Sequence, residues 1–282
     1  MASPAPLQAG PTAAMVMLIA GSGAAATPQG GALLQLLDLR AGEPLAAEVR
    51  AKFPLAQRRI LIRKPFIRKL LNDLAAEDPR RALQLVSAGA GLSPLAIDWC
   101  VQHPAARAFE LDIEHMPQKQ RAIDQVVDSS VAARIRCSCC DLSDIAATER
   151  ALHTAGWRED APSLWVLEGL AYYITQDALA ALLRFGLAAH PDSRAVVEFS
   201  GDPDTLQPSA MRETRDYHAA IGRIVGAHAL TAVDLHTLAA SAHAAIEQCS
   251  HPHEMETLLG LDPIYRNADE SAMRIALLAP RL

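Results

Sequence analysis

From residue 81 onward the chain alternates short apolar runs with segments of helical period. The short apolar runs at 82–88, 107–112, 134–140, 163–168 and 194–199 each read as a buried strand. Between them lie segments of helical spacing at 94–101, 116–127, 145–155 and 176–189. In the last, Leu179, Leu182, Leu183, Phe185 and Leu187 form one broad stripe, and Thr175 is placed to cap the N-terminus. Alternation of this kind predicts βαβ units and a parallel sheet. A final β-like run at 273–279 suits a terminal strand inserted beside the fifth.

The flanks have a different texture. Residues 1–31 are rich in Ala, Pro and Gly without clear period, and residues 1–43 read as an irregular N-terminal arm. From 44 to 76 the pattern turns helical and basic: Arg58, Arg59, Arg63, Lys64, Arg68 and Lys69 interleave with Ile60, Leu61, Ile62, Phe66, Ile67, Leu70 and Leu71. Pro65 is expected to split this stretch into two helices or to kink one. After Asp204 the strand signals fade, and 208–227 and 232–249 read as Ala-rich helices. The chain from 44 to 282 is thus expected to form a single domain, with 204–260 as a helical lid or substrate region. The apolar run at 13–20 is too short to span a bilayer. No basic residue precedes it, the first being Arg40, so it does not read as a secretion signal.

Composition narrows the partners. The chain has 282 residues, 50% of them hydrophobic and 21% charged, which is a globular balance. A net charge of −6 gives no electrostatic case for nucleic acid or an acidic membrane surface, leaving small molecules or peptides. Five cysteines, three of them in Cys137-Ser138-Cys139-Cys140, do not form a disulfide framework and suit a reducing cytoplasm. The cluster lacks a second Cys pair for zinc and reads as buried thiols at a strand end. His251-Pro252-His253-Glu254 reads as a polar loop, no metal site is expected, and a Gly-x-Ser-x-Gly nucleophile elbow is absent.

The strongest local signal is Leu85-Val86-Ser87-Ala88-Gly89-Ala90-Gly91-Leu92-Ser93-Pro94. An apolar strand runs into two glycines, which allow a sharp turn and close approach of the backbone to a ligand. Ser93 as N-cap and Pro94 at the first helical position then open a helix. A dinucleotide fingerprint wants a small residue where Pro94 stands, which argues against NAD or FAD. Acidic residues follow the other strands: Glu110 and Asp112 on the second, Asp141 after the third and Glu168 on the fourth. In a doubly wound sheet these ends open onto one crevice. A carboxylate about twenty residues past the glycine turn can accept ribose hydroxyls. So many acids would repel a pyrophosphate but suit S-adenosylmethionine, which carries a sulfonium and an ammonium and no phosphate.

These segments together resemble the leucine carboxyl methyltransferase family over residues 58 to 202. The resemblance rests on the glycine turn, Phe109-Glu110-Leu111-Asp112, Cys140-Asp141-Leu142, and Leu164-Trp165-Val166-Leu167-Glu168-Gly169-Leu170-Ala171-Tyr172-Tyr173-Ile174-Thr175. It implies a Rossmann-like class I methyltransferase fold, α/β, with a mainly parallel seven-stranded sheet, N-terminal helices and a helical lid. It implies that Gly89, Ala90 and Gly91 pass under the methionine part of S-adenosylmethionine, Asp112 holds the ribose, and Asp141 with Leu142 meets the adenine. Glu168 would face the amino end, and Arg63, with Lys64 or Arg68 as alternatives, the cofactor carboxylate. Tyr172 and Tyr173 would reach the transferring group. The family's usual Asp-Thr-Arg after the glycine turn is replaced here by Ser93-Pro94-Leu95, and the segment after Asp204 has no counterpart. The expected reaction is methyl transfer to an oxygen, foremost a carboxylate on a small metabolite, polyketide or peptide end. A hydroxyl acceptor would call for a base, with His190 and His218 as candidates. A non-catalytic sensor or partner subunit on the same fold stays open.

Overall fold

The computed structural model describes residues 6–225 and 232–281. Its centre is a seven-stranded sheet built from β1 (Gln84–Ala88), β2 (Arg107–Asp112), β3 (Ile135–Cys139), β4 (Leu164–Leu167), β5 (Arg194–Ser200), β6 (Ala244–Ser250) and β7 (Met273–Pro280). The spatial order is β3-β2-β1-β4-β5-β7-β6. β1 to β5 are parallel, and β7 runs antiparallel to both β5 and β6. The expected Rossmann-like, mainly parallel sheet is therefore present, with the terminal strand beside the fifth.

Consecutive apolar residues make the inner strands β1, β4, β5 and β7 because both their faces are covered. Leu85, Val166, Val196 and Ile275 face one core with helices α4 (Pro54–Glu77), α5 (Leu95–Gln102), α6 (Met116–Val126) and the short α7 (Ser129–Ala132). Val86, Trp165, Val197 and Ala276 face a second core with α8 (Ile145–Ala155), α9 (Gln176–Ala188) and α11 (Leu235–Ser241). The two-residue period of a strand assigns alternate side chains to each core. Thr175 caps α9 as expected, accepting from the Ala178 N–H at 3.2 Å.

The N-terminal segment departs from expectation. It is not an irregular arm: α1 (Pro11–Ala20) and α2 (Pro28–Gln35) are helices, followed by α3 (Glu43–Lys52). α1 lacks a readable period because it is apolar or small almost all round, as a helix enclosed on several sides is. Met15, Met17 and Ile19 join Leu45, Val49, Phe53, Ile60 and Ile221 in a third core, which roofs the end of the sheet. Gly42 lets the chain before α3 touch the backbone of α1, since a Cβ there would stand 2.3 Å from the Met15 nitrogen. Asp98 on α5 straps the segment down, accepting from Ala26 N, Thr27 N and Thr27 Oγ1 at 2.6 to 3.0 Å.

Four further expectations are corrected. Pro65 neither ends nor splits α4, which runs on through it. The proline removes one i→i−4 bond, and the buried Ile62, Phe66 and Ile67 hold the helix against the sheet across that gap. Ser93 does not cap α5, which begins at Leu95 with Pro94 in the cap position. Residues 232–249 are not one helix: α11 stops at Ser241, His243 takes a left-handed turn at φ 53, and the Ala-rich run becomes edge strand β6. Alanine favours a helix in isolation, but pairing with β7 decides here. α10 (Pro208–Val225) forms as expected up to residue 225, and the rest of that predicted helix, at 226–227, lies outside the described residues. α12 (Pro252–Leu258) starts where a loop was expected, with Glu254 accepting from the His251 N–H at 2.8 Å. No described helix is long and apolar enough to cross a membrane.

Candidate functional site

The sheet order reverses between β1 and β4, so the helices leaving these two strands go to opposite faces and open a crevice above their C-terminal ends. The glycine turn follows β1, and Glu168 follows β4. Gly89 and Gly91 have φ of 73° and 47°, the left-handed region that a side chain adopts only under strain. The turn is pinned by Gly89 N and Ala90 N, which donate to Leu111 O at 2.9 and 3.0 Å. Asp112 pins it from the side, its Oδ2 accepting from Gly91 N and its Oδ1 from Ile113 N, both at 2.7 Å. A Cβ on Gly91 would meet no atom within 4 Å, so the turn presents bare backbone to open space.

Behind the turn lies a buried charge network. Glu168 Oε1 sits 2.9 Å from Arg63 Nε and 2.8 Å from Lys64 Nζ, and Lys64 Nζ also donates to Ser93 Oγ at 3.2 Å. Arg63 Nη1 reaches Glu198 Oε1 at 3.2 Å. Glu198 further accepts from Tyr172 Oη at 3.2 Å and Gly169 N at 2.9 Å. Gly169, at φ 74°, supplies the sharp turn that aims this N–H back at Glu198. Burial pushes Glu168 up, but Lys64 and Arg63 outweigh it and hold the carboxyl below its usual range. Burial lowers Lys64, with Glu168 opposing only in part. Burial and then Glu198 push the Tyr172 phenol well above its ordinary value.

The network forms one wall of a cavity of about 240 Å³. Gly89, Ala90, Gly91 and Ser93 form its floor on the β1 side. Thr12, Met15 and Val16 of α1 close it above, and Thr214, Tyr217, His218 and Ile221 of α10 close its far end. Arg59 lies there too, one helical turn before Arg63, with its guanidinium 5.5 Å from the centre of the Tyr217 ring. Burial and then Arg59 push His218 down to about 4. α10 thus forms a wall of the cavity, but so does α1, in the segment expected to be a loose arm.

The structure brings together Arg63, Gly89, Ala90, Gly91, Glu168, Tyr172 and Tyr173 around this cavity, with Tyr173 half exposed at its mouth. Asp112 stands behind the turn rather than in the cavity wall. Asp141 is exposed and accepts from Ser143 N at 2.8 Å, while Leu142 is buried in the second core. Glu110 is removed from the site. It is wholly buried two residues inside β2, 2.8 Å from the equally buried Lys119, and it accepts from Cys137 Sγ at 3.3 Å. Arg68 is removed as well, since it straps Gly23 O and Ala24 O. His190 lies on the loop before β5, at the opposite ends of the parallel strands from the cavity. Of the cysteine cluster, Cys137 and Cys140 are half-buried and Cys139 is exposed, and all five cysteines are free thiols. Among the described residues a metal-compatible trio occurs at Glu149, His153 and Glu159, all exposed and outside the cavity. Sequence reasoning missed Glu198, Arg59, Tyr217 and the α1 residues. An acid within the apolar run Ala195-Val196-Val197-Glu198-Phe199 was the available signal, because a buried carboxylate requires a partner.

The sequence signature described as leucine carboxyl methyltransferase matches residues 17–186. Among solved structures, a DUF574 family protein from Streptomyces avermitilis MA-4680 superposes over 96% of this chain and 98% of its own, at 15% identity and a TM-score of 0.68. A putative methyltransferase from Thermobifida fusca YX covers 93% and 97%, at 16% identity and 0.66. A magnesium protoporphyrin IX methyltransferase from Synechocystis PCC 6803, solved with bound SAH, covers 80% and 87%, at 12% identity and 0.50. No curated protein matches the sequence. With the signature spanning more than half the chain and the glycine turn and Glu168 meeting at one crevice, this protein belongs to the leucine carboxyl methyltransferase family of S-adenosylmethionine-dependent methyltransferases.

Proposed function

We propose that this protein esterifies a carboxylate of a small acceptor, using the cavity between the glycine turn, α1 and α10. The cofactor fits the residues present. Bare backbone at Gly91 opens onto free space, and Lys64 and Glu168 lie side by side as the opposite charges that an amino-acid end requires. Gly89, Ala90 and Gly91 would support the methionine part, Glu168 its ammonium, and Lys64 with Arg63 its carboxylate. Asp112 uses two lone pairs on backbone N–H groups and keeps others for ribose hydroxyls, and Asp141 with Leu142 would border the adenine. S-adenosylmethionine, when bound, supplies an electrophilic methyl whose bond to sulfur breaks, its electron pair staying on sulfur, as the acceptor oxygen attaches.

The observation that carries the choice of acceptor is the lack of a base tuned to neutrality among the described cavity residues. Tyr172 and Tyr217 are pushed up by burial and remain protonated donors. His218 is pushed down to about 4, leaving a neutral, weakly basic imidazole. Glu168 and Glu198 are engaged by Arg63. A carboxylate needs none of these, because it is already ionised at pH 7. The protein's part is then to hold the acceptor in line and exclude water. Tyr173, at the mouth, would donate to the acceptor and orient it, while Tyr172, whose one hydroxyl proton goes to Glu198, would line the pocket beside the transferring group. A hydroxyl acceptor is the second reading, favoured by one observation, the placement of neutral His218 in the same cavity. Labelled methyl transfer to a panel of acids and phenols separates the two. Ester-linked methyl is released as methanol by mild alkali, whereas an alkali-stable product would rule out carboxylate esterification.

Two expected outcomes test the assigned groups. Asp112→Ala should weaken S-adenosylhomocysteine binding by about 1–3 kcal/mol, since it removes both the ribose acceptor and the brace on Gly91 N. Unchanged calorimetric affinity would take Asp112 out of the site. His218 is neutral in the fold but has an ordinary value near 6.5 when unfolded. The unfolded chain therefore binds the extra proton first, and stability should fall as pH drops from about 6.5 to about 4, by up to about 3 kcal/mol. His218→Asn should flatten that part of the melting-temperature profile; the same slope in the variant would contradict burial of a neutral imidazole.

A further inference from the structure

Three cations face the cavity, and the fold treats them differently. Lys64 is held by Glu168 and Ser93, and Arg63 by Glu168 and Glu198. Arg59 is 7% exposed, yet it makes no hydrogen bond or ion pair with a described residue. Its one close partner is the face of the Tyr217 ring, 5.5 Å from the guanidinium. Glu213, on the helix packed against it, points one oxygen at the Ala56 N–H at 2.9 Å and forms no ion pair with Arg59. A buried guanidinium without an anion is costly, and a fold retains one where a ligand supplies the missing charge.

Position assigns that ligand. Along α4, Lys64 stands over the glycine turn, Arg63 beside Tyr172 and Glu198, and Arg59 about 6 Å farther from the turn, at 1.5 Å per residue. The amino-acid end of the cofactor already has its complementary charges at Lys64 and Glu168. Arg59 lies beyond them, among Met15, Ile60, Tyr217, His218 and Ile221.

We propose that Arg59 is the specificity-determining residue that anchors the acceptor, and that the acceptor is a small carboxylic acid with an apolar body. This deepens the carboxylate reading given above and rests on it. A planar guanidinium pairs with one edge of a carboxylate and leaves lone pairs on its oxygens free to react. The Tyr217 ring, with its face toward the guanidinium, restrains it from the other side. Methionine and isoleucine side chains receive the body of the acid. The same arrangement aids turnover, because the methyl ester is neutral and loses its attraction to Arg59, so product leaves where substrate was held.

The test uses the full chain saturated with S-adenosylhomocysteine, and benzoate and hexanoate against benzamide and hexanamide as probes in thermal-shift and calorimetric titrations. The carboxylates should bind at least tenfold more tightly than the amides of the same shape. Arg59→Gln should abolish that preference while S-adenosylhomocysteine affinity stays within about twofold, and Arg59→Lys should retain part of it. Equal binding of acid and amide by the wild type overturns the proposal without any variant. So does an undiminished acid preference in Arg59→Gln, or loss of S-adenosylhomocysteine binding in that variant with acid binding intact. Should Arg59→Gln fail to fold, the wild-type comparison and Arg59→Lys still decide. Failure of the wild type to bind S-adenosylhomocysteine at all would instead strike at the cofactor site, not at Arg59.

Discussion

Arg63→Met is expected to destabilise the fold by about 3–5 kcal/mol, the cost of leaving a buried charge without its partner. Arg63 bridges Glu168 and Glu198, whose side chains are 11% and 2% exposed. Glu168 would keep Lys64, but Glu198 would retain only neutral donors, the Gly169 N–H and the Tyr172 hydroxyl. Glu198 would then stand as a buried charge without a cation and draw water into the cavity wall, and cofactor affinity should fall along with stability. Urea denaturation measures the first effect and calorimetry with S-adenosylhomocysteine the second. The double variant Arg63→Met with Glu198→Gln should recover part of the lost stability, because it removes the orphaned charge. A single variant within about 1 kcal/mol of wild type would show that Arg63 does not carry this network.

Gly91→Val should reduce S-adenosylhomocysteine affinity by about 100-fold, or ~3 kcal/mol, while the protein remains folded. Two effects add. At φ 47° a β-branched residue is strained by about 1–2 kcal/mol. Its side chain would also project into the open space above the turn, where a Cβ meets nothing within 4 Å. That same emptiness is why the core should tolerate the change. Gly91→Ala shares most of the strain with less bulk, so the difference between the two variants measures how closely the cofactor approaches the backbone. Wild-type affinity in Gly91→Val would mean that the cofactor does not cross this turn.

The inner parallel strands β1, β2, β4 and β5 were legible because each is buried on both faces, so residues such as Leu85 and Val86 are apolar whichever core they meet. The glycine turn was legible for a related reason: left-handed backbone at Gly89 and Gly91 is a local requirement that local sequence expresses. Acids were harder to place. Glu110 and Asp112 stand two apart on one strand, yet one pairs with Lys119 inside the core and the other braces the turn at the strand end. Nothing in the spacing separates them, since the difference lies in where the strand stops and what α6 brings against it. α1 was illegible for the opposite reason to an amphipathic helix: its apolar residues point in nearly every direction because protein surrounds it.

By itself, the sequence determined the βαβ order, the glycine turn and the acids following the strands, hence the family and its cofactor chemistry. These depend on neighbours within a few residues, where backbone geometry and hydrophobic period act directly. Only the tertiary structure decided which charges face the cavity. Arg59, Arg63, Lys64 and Arg68 share one helix and look equivalent in the chain, but Arg68 straps a loop, Lys64 and Arg63 meet acids from β4 and β5, and Arg59 meets the Tyr217 ring from α10 with no ion pair among the described residues. The acidic partners of Arg63 and Lys64 come from elements more than a hundred residues away, and long-range packing, not local pattern, chooses them.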